Sequence, residues 1–284
     1  DLLVRDIKAV EPNTRDTLLS LERLKVELRF WKLLKKEVEI EEISIRNATF
    51  DTRDFIDGVV VSGHLGELFL ESHGVVFSPE TARINEFSVK NTDVSLTLGS
   101  IESTDTVPSE PLYWKILLDE IDFENVGFAL KMPQDSLFVR TMLPKTTLKN
   151  GVIDLKEASY YVKSFGIDNA ELAYGPKEEL FLQQIGLQLD SIYYCGKNIR
   201  ANIEEFVLKE RSGLELVSTE GRIVSDSVLI EIPKFTMKTT ASSLDLQTKI
   251  GWDVLEMKKT GVLSAKINAE IGKGDVAKIL GGRD

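Results

Sequence analysis

A single cysteine, Cys195, and two histidines, His64 and His73, are all that the chain offers of the residues that most often bind metals. One thiol excludes an intramolecular disulfide and a cysteine zinc site. Between Tyr194 and Gly196 it suits a small packed hydrophobe better than a nucleophile. The two histidines fall in strand-like stretches without a third ligand at fixed spacing, which excludes an obvious metal centre. No run of about 18 apolar residues occurs, so no segment reads as a membrane-spanning helix. The residues after Asp1 carry no charged, apolar and small-residue signal pattern. A soluble cytosolic chain and a piece cut from behind an anchor are both consistent with this. Positive charge is in deficit: the net charge is -11 and the pI near 4.9. Nucleic acid as a partner is excluded by the absence of a basic stripe, and adhesion to anionic lipid surfaces is disfavoured. Aromatics make up 8% without Tyr or Trp pairs at strand ends, which fits a transmembrane barrel poorly.

Catalytic constellations are missing as well. Gly63-His64-Leu65-Gly66 and Gly272-Lys273-Gly274 do not lead from an apolar strand into a helix with the lysine or serine of a phosphate loop. Ser212-Gly213 lacks the flanking glycine of a nucleophile elbow. Paired acids such as Glu41-Glu42, Glu178-Glu179 and Glu204-Glu205 are adjacent along strands or turns and point in opposite directions, so they do not converge on one bond. The chain reads as a non-enzyme without a cofactor.

What the sequence has in quantity is alternation. Leu24, Val26, Leu28 and Phe30 alternate with Lys25, Glu27 and Arg29, placing apolar side chains on one face and charges on the other. Trp31–Lys36 reads as a connector. One phrase then recurs five times around Asn47, Asn91, Asn125, Asn150 and Asn169, each set between apolar strand positions. Asparagine tolerates positive φ, so each phrase is expected to be a hairpin turn. Val38, Ile40, Ile43 and Ile45 share their spacing with Ile116, Leu118, Ile121 and Phe123. A β-bulge at Glu41-Glu42 and at Asp119-Glu120 would keep each apolar row on one face. Ser100–Pro111 is the best linker, and of the remainder only Gly274–Leu280 suits a helix.

The fold class expected is all-β: an elongated, curled antiparallel sheet of repeated hairpins. Roughly eighteen strands at about 4.8 Å each would extend about 85 Å, a width that must curl or split. Curling with the apolar side inward makes a hydrophobic groove; splitting makes a packed sandwich. Alternation alone favours the sandwich. Residues 1–284 form one extended β-groove unit, with a loop break at 100–111 separating 1–99 from 112–284.

Several phrases, in order, carry a resemblance. They are Val4-Arg5-Asp6-Ile7, Asp16-Thr17-Leu18-Leu19, Trp31-Lys32-Leu33-Leu34-Lys35-Lys36 and Ile43-Ser44-Ile45-Arg46-Asn47, followed by Gly63-His64-Leu65-Gly66, Phe206–Leu216 and Thr239–Leu244. Together they resemble the AsmA/TamB superfamily, in particular TamB proteins of the Bacteroidetes type. The resemblance implies an early periplasmic segment of an envelope protein anchored in the inner membrane. It also implies a likeness to bridge-like lipid transfer proteins, whose folded-over sheet carries phospholipid acyl chains in a groove. A barrel partner of the TamA or BamA kind would be reached through C-terminal parts outside this sequence. On that resemblance the groove is preferred to the sandwich and the expected function is a lipid conduit. Its lining is Val38, Ile40, Ile43, Ile45, Phe50, Phe87, Val89, Leu96, Ile116, Leu118, Ile121, Phe123, Phe128 and Leu130. The alternative is a scaffold that receives outer-membrane strands by β-augmentation at a sheet edge.

Overall fold

The structure, a computed structural model, describes residues 1–11, 15–29, 39–53, 58–77, 80–99, 113–257 and 261–281. Val38, the connector Trp31–Lys36 and the break at 100–111 lie outside the described residues. The first half holds β1 (Leu2–Val10), β2 (Thr17–Leu28), β3 (Ile40–Asp51), β4 (Val59–Phe77), β5 (Glu80–Leu98), β6 (Lys115–Met132) and β7 (Leu137–Asp154). The second holds β8 (Ser159–Tyr174), β9 (Leu180–Cys195), β10 (Asn198–Glu210), β11 (Glu215–Ser225), β12 (Leu229–Thr239), β13 (Ser243–Gly251) and β14 (Leu263–Glu270). Two short helices follow β13 and β14: α1 (Trp252–Leu255) and α2 (Lys273–Gly281). All fourteen strands belong to one sheet in chain order, and β1 does not close on β14.

Three differences from the sequence reading share a cause. Among the described residues the strands number fourteen, against roughly eighteen expected, because the asparagines do not end their strands: β5, with Asn91 inside it, reaches 19 residues. At about 4.8 Å per step the sheet runs about 60 Å across its strands. Asn47, Asn91, Asn125, Asn150 and Asn169 do take positive φ, between 47° and 56°. They nevertheless lie inside β3, β5, β6, β7 and β8, so the assignment as hairpin turns is corrected. A tight hairpin turn of the type I′ kind needs two successive residues at positive φ, and in each phrase only the asparagine has it.

A single left-handed residue instead resets the side-chain alternation, so the next apolar residue arrives three positions on rather than two. Val89 and Thr92, on either side of Asn91, are both buried. Ala48 is buried while Arg46, Asn47 and Thr49 are exposed. The pairings bracketing these residues set Asp6, Glu22, Asn47, Gly66, Asn91, Asn125, Pro144 and Asn169 in a line across eight strands. The sheet is creased along that line. Side chains stitch it on the solvent side: Asn47 Nδ2 donates to Glu22 Oε2, and Asn125 Nδ2 donates to Asn91 Oδ1 at 3.3 Å. At Gly66 the crease is too tight for a side chain, since a Cβ would lie 2.5 Å from the Asn91 carbonyl oxygen.

A second crease runs through Asn85, Asp119, Asn150, Lys163 and Ser191, where Asn150 and Ser191 have positive φ. This corrects the bulge expected at Asp119-Glu120. The pairings Leu118 with Gly151 and Glu120 with Lys149 keep one register, because every neighbour resets its alternation at the same place and no residue is extra. The bulge expected at Glu41-Glu42 is present: Glu27 faces Glu42 and Leu28 faces Ile40, leaving Glu41 over.

One neighbour pair breaks the antiparallel pattern. β5 and β6 run parallel, Thr81 beside Lys115 through Thr97 beside Lys131. A parallel neighbour requires a crossover in place of a hairpin.

At the far end α2 is held by its own acid. Asp275 is buried, accepting from Ser242 Oγ at 2.6 Å, from Thr240 Oγ1 at 3.3 Å and from Thr239 Oγ1. The hydroxyls of Ser242 and Thr239 stabilise the carboxylate and hold its pKa below the ordinary 3.8.

Two predictions follow from the creases and this clamp. Gly66→Ala is expected to lower stability by about 1–3 kcal/mol, and Asn91→Val by about 1–2 kcal/mol, whereas Asn91→Gly, which keeps the left-handed backbone and loses only the exposed bond from Asn125, costs less than Asn91→Val; urea midpoints at unchanged slope measure all three. A stable Asn91→Val protein would remove the crease. A carboxylate with a depressed folded pKa stabilises fully above its unfolded value and loses that contribution as pH falls through the folded one. Wild type is therefore expected to exceed Asp275→Asn in melting temperature at neutral pH, with the gap closing as pH is taken below 3.8.

Candidate functional site

Residues directly opposite each other on neighbouring strands share a face, so the pairings trace which side chains line up. One row can be followed through every strand. Leu2 faces Val26, then Ile43, Leu70, Phe87, Ile121, Leu148 and Phe165 in turn. It continues through Leu189, Ile203, Gly221, Phe235, Leu246 and Ile267. Thirteen of these residues are large and apolar, and the exception is a glycine. A parallel row runs Leu24, Ile45, Leu68, Val89, Phe123, Thr146, Ile167, Leu187 and Phe206.

The sequence-predicted lining residues fall on this side as follows. Ile43, Phe87 and Ile121 share the first row, and Ile45, Val89 and Phe123 the second. Phe87 and Phe123 meet edge to face with ring centroids 6.2 Å apart. Ile116 faces Ala82 and Ile153; Leu118 faces Ile84 and Gly151. Across the first crease, Phe50 and Phe128 belong to one row through Gly63 and Val94, and Leu96 faces Leu130. Ile40 faces Leu28 at the bulge, and its carbonyl accepts from Ser72 Oγ. The continuation through Leu148, Phe165, Leu189, Phe235 and Leu246 was missing from the expected lining, although the same alternation marks it in the sequence.

The apolar face is the inside of the folds. Leu21, Ala48, Val89, Thr92, Leu118, Thr146 and Ala170, all beside a crease, are buried, as the inner corner of a bent sheet requires. Away from the corners the large residues are only half covered. Among the described residues no side chain is fully buried. Two sheets packed face to face would bury the inner residues of both, so the structure holds one layer folded about an accessible apolar trough. At the β14 edge the trough is most open: Leu263 is 65% and Ile267 is 63% exposed.

The outer face is charged in register. Arg46, Glu67, Lys90, Glu124, Lys145 and Asp168 stand opposite one another, alternating in sign across six strands. Lys90 Nζ lies 3.2 Å from Glu124 Oε2, and Arg46 Nε 3.8 Å from Glu67 Oε1. Exposed pairs of this kind contribute about 0–1 kcal/mol each, so they fix register and solubility more than stability. A neighbouring row is acidic, Glu27, Glu42, Glu71, Glu86 and Glu120. Lysines flank it: Lys25 Nζ reaches Glu27 at 2.6 Å and Glu42 at 3.1 Å, and Lys149 Nζ reaches Glu120 at 2.9 Å. Hydrogen bonds to Glu27 and then Glu42 raise the Lys25 pKa, and that to Glu120 raises Lys149.

Polar groups within the trough are few and mostly spent on the backbone. Thr92 Oγ1 donates to Lys90 O at 3.0 Å, Ser225 Oγ to Lys197 O at 2.8 Å and Thr248 Oγ1 to Ser264 O at 2.9 Å. Thr146 and Thr219 are different: both hydroxyls are buried without a hydrogen-bond partner. Of the histidines, His64 Nδ1 lies 3.4 Å from Thr49 Oγ1 and His73 bonds Asn85. Cys195 Sγ lies 3.8 Å from Glu157 O. Among the described residues no group of His, Cys, Asp and Glu is arranged to hold a metal ion. No helix among them is long and apolar enough to cross a membrane. Comparison with protein-family models and with curated proteins finds no match.

Proposed function

We propose that this chain is a non-enzymatic conduit in which the acyl chains of phospholipid lie along the apolar trough while headgroups stay at its open side. The observation that carries the reading is the row from Leu2 to Ile267, which crosses all fourteen strands and contains no charged residue. Each large side chain there would gain about 1.5–3 kcal/mol on full burial, and the described residues supply no second layer to cover it. An occupant of hydrocarbon character satisfies that demand along the whole length. Movement along such a floor is diffusive and requires no group to change protonation. The resemblance to AsmA/TamB proteins adds a setting to the proposal: the periplasm, between an inner-membrane anchor and an outer-membrane partner.

A second reading rests on the sheet's ends. Among the described residues β14 pairs only with β13, and all of its residues, Leu263–Glu270, are exposed. A free strand of that kind can receive an unfolded outer-membrane segment by β-augmentation.

Mass spectrometry of organic extracts from the purified chain is expected to show phospholipid near one or more molecules per chain. Ile121→Arg combined with Phe123→Asp should abolish it while the far-ultraviolet signature of the sheet persists. Lipid retained by a folded variant would count against this lining. The second reading expects crosslinks from photoreactive side chains at Lys266 and Asn268 to a nascent barrel protein, and none from the mid-sheet position Lys145.

A further inference from the structure

Among the described residues, Thr146 and Thr219 are the two places where the trough carries a buried polar group without a partner. Thr146 is 7% exposed and Thr219 is 3% exposed, and neither hydroxyl has a partner. A buried hydroxyl without a hydrogen bond is unfavourable, and natural interiors rarely keep one without a use. The other buried hydroxyls of this face show how easily the backbone could have absorbed it, as at Thr92, Ser225 and Thr248.

Register puts both on the apolar side. Thr146 stands between Phe123 and Ile167, and Thr219 faces Met237, which in turn faces Leu244. Thr146 lies next to the crease at Pro144, and Thr219 next to the register shift between Leu216 and Ser218. Between them along the trough come Ile167, Leu187 and Phe206, which offer only hydrocarbon. Four strand steps separate β7 from β11, about 19 Å, the reach of one long extended acyl chain.

We infer that Thr146 and Thr219 are hydrogen-bonding stations for an acyl carbonyl, whether of a glycerolipid ester or of a fatty-acid carboxyl group. A hydroxyl can donate to either oxygen, and rotation about the Thr Cα–Cβ bond between staggered positions exchanges hydroxyl for methyl, turning the donor towards an arriving ligand. The surrounding low dielectric strengthens such a bond. The inference rests on the conduit reading and adds chemistry to it: hydrocarbon alone would slide past these sites, whereas an acyl carbonyl would pause at each.

The test uses the full chain, the variant Thr146→Val with Thr219→Val, and the blocked variant Ile121→Arg. The probes are carbonyl-labelled phosphatidylcholine, carbonyl-labelled palmitic acid and plain hexadecane, with infrared spectroscopy of the bound carbonyl and titration of affinity. Wild type is expected to hold the carbonyl in a lowered-frequency, hydrogen-bonded band. The valine variant should lose that band and bind the carbonyl probes roughly tenfold more weakly, with hexadecane binding unchanged. Without ligand the valine variant should melt no lower than wild type, since it removes an unpaired hydroxyl. A response to phosphatidylcholine assigns the ester, and a response to palmitic acid alone assigns the carboxyl group. An identical band and affinity in the valine variant would overturn the stations while leaving the conduit standing. Failure of wild type to bind any of the three probes, matching Ile121→Arg, would overturn the conduit reading and this inference with it.

Discussion

The structure depends on its strands resetting their side-chain alternation together. A β-strand that takes one left-handed residue moves its following side chains to the opposite face. If one strand did so alone, its apolar residues would leave the common face and a charged set would replace them. Here the resets fall at matching register on neighbouring strands, at Asn47, Asn91, Asn125 and Asn169 on one line and at Asn150 and Ser191 on the other. The apolar face therefore survives two bends without interruption. Asparagine suits the role because it adopts the left-handed region as a single residue at low cost and carries an amide for its neighbour. The tightness of the approach explains the companion glycine, Gly66, whose missing Cβ leaves room for the backbone of Asn91.

Much of this was legible in the residues. Period-two alternation fixed which side chains share a face, and the spacing of Ile40 and Ile43 located the bulge at Glu41. The recurrent asparagines marked positive φ correctly. Their purpose was misread because a local phrase does not say whether the chain reverses or merely bends after it; that depends on the next residue's φ and on the neighbouring strand. The pairing of Asn91 with Asn125 is a relation between residues 34 apart, and nothing local encodes it. The parallel step from β5 to β6 was hidden for the same reason. Of the apolar face, the first-half rows through Ile43 and Ile45 were readable, while the lone hydroxyls of Thr146 and Thr219 were not. A threonine in a strand looks the same in sequence whether its hydroxyl is bonded or orphaned.

A one-layer sheet has a particular energetic character. Each strand draws its stability from the two beside it, as in repeat architectures where nearest-neighbour terms dominate. The polar face then has work that a packed protein gives to its core. Its alternating charges from Arg46 to Asp168 are individually weak, but a one-residue slip of any strand would break alternating pairs on one face while it carried apolar residues out of the trough on the other. The two faces impose the same register by opposite means.

That argument bears hardest on the junction of β5 and β6. Antiparallel neighbours joined by short turns inherit their register from the connection, whereas a parallel pair joined by a long crossover inherits nothing from it. The register of this junction has to come from contacts across it. They are concentrated there on both faces: Phe87 against Phe123 in the trough, and on the outside Lys90 with Glu124, Arg83 and Asn85 with Asp119, and Asn125 with Asn91. Each is modest alone, yet together they select one alignment of β6 among several that would satisfy the backbone. In that alignment Ile121 falls beside Phe87 and the apolar row passes from the first five strands to the other nine without a step. Continuity of the trough is thus a property of side chains at one junction, and a slip of β6 by two residues would keep the hydrogen bonds while displacing the creases on its two sides from one another.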